Sequence, residues 1–161
     1  MILVALYQND SFVSRLIRFW THSKYSHSEV WNTDIGESVS AEAHGVVLKQ
    51  MPVLTRHGRG QKVDAFSYDR PLSLEEEQAV WRSALGMVGW KYDYFSVFLG
   101  FTLGLKEPKA SLSKWFCSEV VVEAFRLAKL PLLRRTPASR VSPRDLAMST
   151  KLKFQKTFIT Q

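Results

Sequence analysis

Trp115-Phe116-Cys117-Ser118-Glu119-Val120-Val121 holds the only cysteine of the chain and opens an apolar-periodic stretch that runs to about Ala128. Val121, Ala124 and Ala128 follow Cys117 at offsets of four, seven and eleven residues, the spacing of one helical face. The stretch predicts a helix with a buried inner face and with Cys117 in its first turn. Unpaired backbone N–H groups and the positive end of the helix dipole stabilise a thiolate there. Ser111 or Ser113 is placed to cap the start. A free cysteine is equally a small apolar core residue, because the type is among the most buried. The rest of the chain has to decide between nucleophile and core.

Working outward, the 161 residues fit one domain with room for a proper core. A hydrophobic content of 45% with 23% charged residues excludes a disordered or fibrous chain. One cysteine cannot close an internal disulfide, which makes a reducing compartment the default. Met1 to Tyr7 has no basic region ahead of its apolar run and reads as a strand, not as a signal peptide. A cytoplasmic location is the expectation. The formal charge of +7 invites a nucleic-acid reading, but the basic residues are scattered and no nucleic-acid-binding signature stands in the chain. Nucleic acid is therefore not expected as a partner.

The periodicity predicts an α+β order. Residues 2–7 form a buried strand, and Asp10 or Ser11 caps a helix to about Thr21. His27 to Trp31 is a strand, Asn32 to Gly36 a turn, and residues 37–43 the return strand of a hairpin. Gly45 permits a bend before a further stretch at 46–49, and Lys62 to Phe66 is another strand. Ser73-Leu74-Glu75-Glu76 is a capping box opening a helix to about Val88, with Trp81, Leu85 and Val88 inward. The apolar segment 94–105 is far short of the ~20 residues that span a bilayer, so it predicts core or an amphiphilic lid. A short helix from Ser142-Pro143 and a last strand near 152–159 complete the chain.

A nucleophilic cysteine needs a base and a group to orient that base. His22 and His57 lie in polar loops, and His44 closes a strand. His27 starts a strand after a polar loop, so a fixed backbone can project it from a sheet end. Hairpin pairing of 27–31 with 38–43 brings Glu42 within one or two pairs of His27. His44 and Glu29 are rivals for that third position, and the sequence leaves the choice open. No His-x-x-x-His or Cys-x-x-Cys spacing supports a metal, and Gly58-Arg59-Gly60 is a turn and not a phosphate loop. Neither metal nor cofactor is expected.

Tyr25-Ser26-His27, the strand carrying Glu42-Ala43, Gly89-Trp90-Lys91-Tyr92-Asp93 and Phe116-Cys117-Ser118-Glu119-Val120-Val121 occur in that order. The order resembles the circularly permuted NlpC/P60 group of papain-like cysteine hydrolases, YiiX-like branch, from about Phe12 to Met148. The resemblance implies a single domain with a mostly antiparallel sheet or half-barrel packed on helices. It also implies Cys117 as nucleophile, His27 as base and Glu42 as third member, with Tyr92, Trp115 and Ser26 bordering the substrate. The implied reaction is amide or peptide hydrolysis through a thioester, on peptidoglycan-type peptides or small amides. One departure stands out: Ser28-Glu29 follows the histidine where the group usually has small or apolar residues. A charge beside the site points to a non-standard substrate. A lipid substrate is the second reading, although the lipid-acting branch carries Asn-Cys-Glu-His where this chain has Phe116-Cys117-Ser118-Glu119. A non-catalytic binding module is the third. Phage origin would reconcile a wall substrate with a chain that shows no signal.

Overall fold

An unbroken apolar run, Ile2 to Tyr7, suits a strand covered on both faces, and that is where it lies. In the computed structural model β1 (Ile2–Gln8) sits inside a six-stranded sheet. The structure describes residues 1–8, 15, 18, 19, 22–42, 44–51, 60–91, 117–133, 136–138 and 141–160. The other strands are β2 (His27–Asn32), β3 (Glu37–Glu42), β4 (Gly45–Gln50), β5 (Lys62–Tyr68) and β6 (Leu152–Ile159). The helices are α1 (Leu74–Leu85), α2 (Cys117–Leu127) and α3 (Pro143–Ala147). Strand order is β4-β3-β2-β1-β5-β6, and every neighbouring pair is antiparallel. The α+β expectation holds, as one small domain.

The period of two splits β1 between two cores. Ile2, Val4 and Leu6 join Val30, Val39 and the inner faces of α1 and α2, among them Val80, Ala84, Val121 and Phe125. Leu3, Ala5 and Tyr7 pack on the opposite face with Trp31, Met51, Val63 and Ala65. The cysteine helix has the predicted inner face: Val121 and Ala124 are buried with Cys117, and Ala128 packs against the same cluster.

Both halves of the capping box on α1 form: Glu76 N–H donates to Ser73 Oγ at 3.2 Å and Ser73 N–H to Glu76 Oε2 at 2.9 Å. The helix stops at Leu85, with Gly86 as C-cap, so Val88 lies beyond it and is exposed. Two glycines in four residues favour that early end, and Gly89 takes φ +88°. Glu42 pairs with Gly45 to close the β3–β4 hairpin. Gly45 has φ +132°, and a Cβ there would meet Trp90 O at 2.5 Å. That close approach lets Val46 N–H donate to Trp90 O and Gly89 N–H to Val46 O, both at 2.8 Å. Ser142 caps α3 with Asp145 as its reciprocal partner. Of the first expected helix, Arg15, Arg18 and Phe19 are described and helical. The segment 94–105, the caps Ser111 and Ser113, and His57 lie outside the described residues.

Candidate active site

Register decides which side chains meet. Tyr7 pairs with His27, Ala5 with Glu29, and Leu3 with Trp31; Glu29 pairs in turn with Ser40, and Trp31 with Ser38. Ser38 pairs with Lys49 on β4. By alternation Tyr7, His27, Glu29, Trp31, Ser38, Ser40, Glu42 and Lys49 share one face of the sheet.

On that face the Glu29 carboxylate is the most enclosed charge, with 1% of its side chain exposed. Tyr7 OH donates to Oε2 at 2.6 Å and Trp31 Nε1–H to the same oxygen at 3.0 Å. Lys49 Nζ lies 2.8 Å from Oε1 as an ion pair, and His27 Nε2 lies 3.4 Å from that oxygen. Oε1 receives no well-directed hydrogen bond, so its contacts are those of charge. His27 Nε2 also meets Ser40 Oγ at 2.8 Å, and its ring tilts against Tyr7 at 5.4 Å between centroids.

Cys117 opens α2 on the other face, where Ser28 sits at the end of β2. Because His27 is the first residue of its strand, its ring reaches the sulfur around the sheet end. The two described oxygen contacts of the imidazole both use Nε2, and the ring also shares a hydrogen bond with Cys117. Burial alone would raise the thiol pKa, but the His27 charge and hydrogen bond, then the Ser28 N–H and hydroxyl, bring it down. Ser28 Oγ is buried and forms no well-formed hydrogen bond elsewhere among the described residues. Burial alone would likewise lower the His27 pKa; the Cys117 charge and hydrogen bond, with those of Glu29, push it up to about 10. For Glu29, burial opposes ionisation, while the His27 contact and the Lys49 charge hold its pKa at about 2. Burial and the Glu29 charge raise the Tyr7 phenol. Lys49, Glu29, His27 and Cys117 therefore form one line in which each group favours the charged form of the next.

The structure brings Cys117 and His27 together, and differs from the sequence reading over the third position. Glu42 is half exposed and is paired with Lys49. The imidazole turns instead along its own strand to Glu29, two residues on, and across to Ser40. His44 is exposed in the hairpin turn, and His22 is exposed too. Ser26 is buried, with its N–H donated to Tyr7 O at 2.9 Å, so it ties the start of β2 to β1. Tyr92 and Trp115 lie outside the described residues. Sequence reasoning misses Tyr7, Trp31, Ser40 and Lys49 as members of the cluster. Their signal is the strand period, which puts 27, 29 and 31 on one side.

Among the described residues no three His, Cys, Asp or Glu side chains converge to hold a metal ion. Glu29, the nearest carboxylate to His27, has both oxygens engaged by cationic or N–H and O–H donors. That donor set does not fit a resident cation.

Comparison with solved structures gives a match over nearly the whole chain: metalloprotein yiiX from Escherichia coli O157:H7. The TM-score is 0.72 with 20% identity, covering 98% of this chain and 96% of that one. The fold is YiiX-like. At this identity the likeness is one of fold alone, an antiparallel sheet with helices. No family model matches the sequence, and no curated protein matches it. No described helix is long and apolar enough to cross a membrane.

Proposed function

We propose that the chain is a cysteine hydrolase of the permuted papain-like type, an amidase or peptidase with Cys117 as nucleophile, His27 as acid–base and Glu29 as third member. The observation that carries this reading is the hydrogen bond between Cys117, first residue of α2, and His27, with buried Glu29 behind the imidazole at 3.4 Å. A core cysteine needs no imidazolium beside it.

At rest Cys117 is thiolate and His27 imidazolium. The sulfur attacks an amide carbonyl, and His27 gives its proton to the leaving amine as the C–N bond breaks and a thioester forms. Neutral His27 then takes a proton from water; the resulting hydroxide attacks the thioester, releasing the acid and restoring the ion pair. Glu29 holds the ring by Nε2 and stabilises its charged form throughout. The Cys117 backbone N–H, at the start of α2, is the natural oxyanion donor. Peptidoglycan-type peptides or small amides are the proposed substrates. The E. coli protein is called a metalloprotein; the donor set around Glu29 and His27 supports no such role for this chain, and no step runs through a metal.

The test is the alkylation rate of Cys117 against pH. The native protein should react rapidly below pH 7, and His27→Ala and Glu29→Gln should each slow it there, by roughly tenfold per pKa unit lost. Glu42→Gln should act weakly, through Lys49. A thiol that titrates near the ordinary ~8.5 whatever stands at position 27 would sink the hydrolase reading.

A further inference from the structure

The two longer helices pack over β1, β2 and β3, and the same sheet face continues onto β5 and β6 with little described cover. Register lays out its floor in rows: Gln8-Lys62-Ile159, then Leu6-Asp64-Thr157, then Val4-Phe66 with Phe154 beside it. With Lys24 and Tyr25 on one side and Ala147 of α3 on the other, these residues line an open cleft of about 720 Å³. That volume lies in the range of small-molecule sites.

The cleft has a polar end and an apolar end. At the polar end Asp64, with only 5% of its side chain exposed, is saturated. Tyr25 OH, Lys24 Nζ and Gln8 Nε2 lie 2.6, 3.0 and 3.2 Å from Oδ2, and Thr157 Oγ1 donates to Oδ1 at 2.7 Å. A carboxylate so supplied does not call for a ligand cation. It fixes Lys24 instead, whose ammonium remains largely exposed with two further protons to donate. Lys62 stands beside it, exposed, and has no ion-pair partner among the described residues. Two ammonium groups against one carboxylate leave this end positive. At the apolar end Phe154 is 56% exposed against buried Phe66, while Ile159, 64% exposed, flanks Lys62.

We infer that this cleft binds a free organic anion with an apolar tail, its head group between Lys24 and Lys62 and its tail along Phe66 and Phe154. The cleft is open, but its volume is that of a single ligand, which favours a monomeric amphiphile over a lipid surface. The site is argued from its own residues and stands whether or not Cys117 is a nucleophile.

Equilibrium dialysis of labelled decanoate, kept below its micellar concentration, against the full chain carrying Cys117→Ala tests it. Decanoate should bind one to one, and decanol and decyltrimethylammonium at least tenfold more weakly. Lys62→Glu should weaken decanoate by roughly tenfold or more, as for a lost charge-assisted contact, and Phe154→Ser should weaken it as well. Lys153→Glu makes the same charge change on the opposite face of β6, across from Ser67, and should leave binding unchanged. Equal binding of the three decyl probes, or equal loss with Lys62→Glu and Lys153→Glu, would overturn the proposal. So would binding to phosphatidylglycerol vesicles without binding of monomeric decanoate. Circular dichroism of each variant keeps a folding defect apart from a lost site.

Discussion

A carboxylate with 1% of its side chain exposed has to be matched by donors, and Glu29 draws them from β1 and β4 as well as from its own strand. Lys49 is the most informative of these, because it shares one Glu29 oxygen with His27 and also holds Glu42. Lys49→Met removes the cation that shares Glu29 Oε1 with His27 and leaves that oxygen to the imidazole. The imidazolium–thiolate pair is then favoured, so the alkylation profile should move to lower pH, by roughly one unit or less. Lys49→Arg should restore it. A purely structural lysine would lower stability in Lys49→Met without moving the profile. Tyr7→Phe removes the 2.6 Å donor and leaves Oε2 with Trp31 alone, so urea unfolding should show a loss of about 1–3 kcal/mol.

At the scale of elements, the hairpin and the cysteine helix are legible in the sequence because their signals are local. The β2–β3 pairing follows from two short runs around Asn32 to Gly36, and the inner face of α2 follows from the offsets after Cys117. The same hairpin points to Glu42 for the third position, since the neighbouring strand lies close. What sequence cannot weigh is Lys49, which comes from a strand further out and draws Glu42 away. Nor can it show that Tyr7 and Trp31, both buried aromatics, turn polar atoms onto Glu29. Gly45 reads as a bend, and the reason is tighter than that: φ +132° with Trp90 O at 2.5 Å from a Cβ. Gly45→Ala should therefore destabilise by at least ~1–3 kcal/mol in urea unfolding, as strained backbone adds to a displaced Trp90 carbonyl. The exposed cap Ser73→Ala should cost only about 1 kcal/mol.

For the whole molecule, the linked charges tie stability to pH from both sides. Glu29 has a pKa near 2 in the fold against an ordinary 4.5, so its contribution is complete above the ordinary value and is lost as pH falls toward 2. His27 has a folded pKa near 10 against an ordinary 6.5, so its contribution is complete below 6.5 and fades as pH rises through 10. The lowered Cys117 thiol has the opposite slope to His27: its contribution is complete above its ordinary 9.0 and is lost as pH falls. Between about pH 6.5 and 9 the folded and unfolded Cys117–His27 pairs bind the same number of protons, so the two slopes cancel there. Urea midpoints measured from pH 3 to 11 should rise through the acid range, level out between about pH 6.5 and 9, and fall above it. Glu29→Gln should lower the plateau and flatten the acid side, because the variant has no carboxylate to protonate there. His27→Ala should flatten the alkaline side instead. If both variants keep the native pH dependence while losing stability, the charges are not the coupled line that their distances describe, and the sheet face around Glu29 acts only as packing.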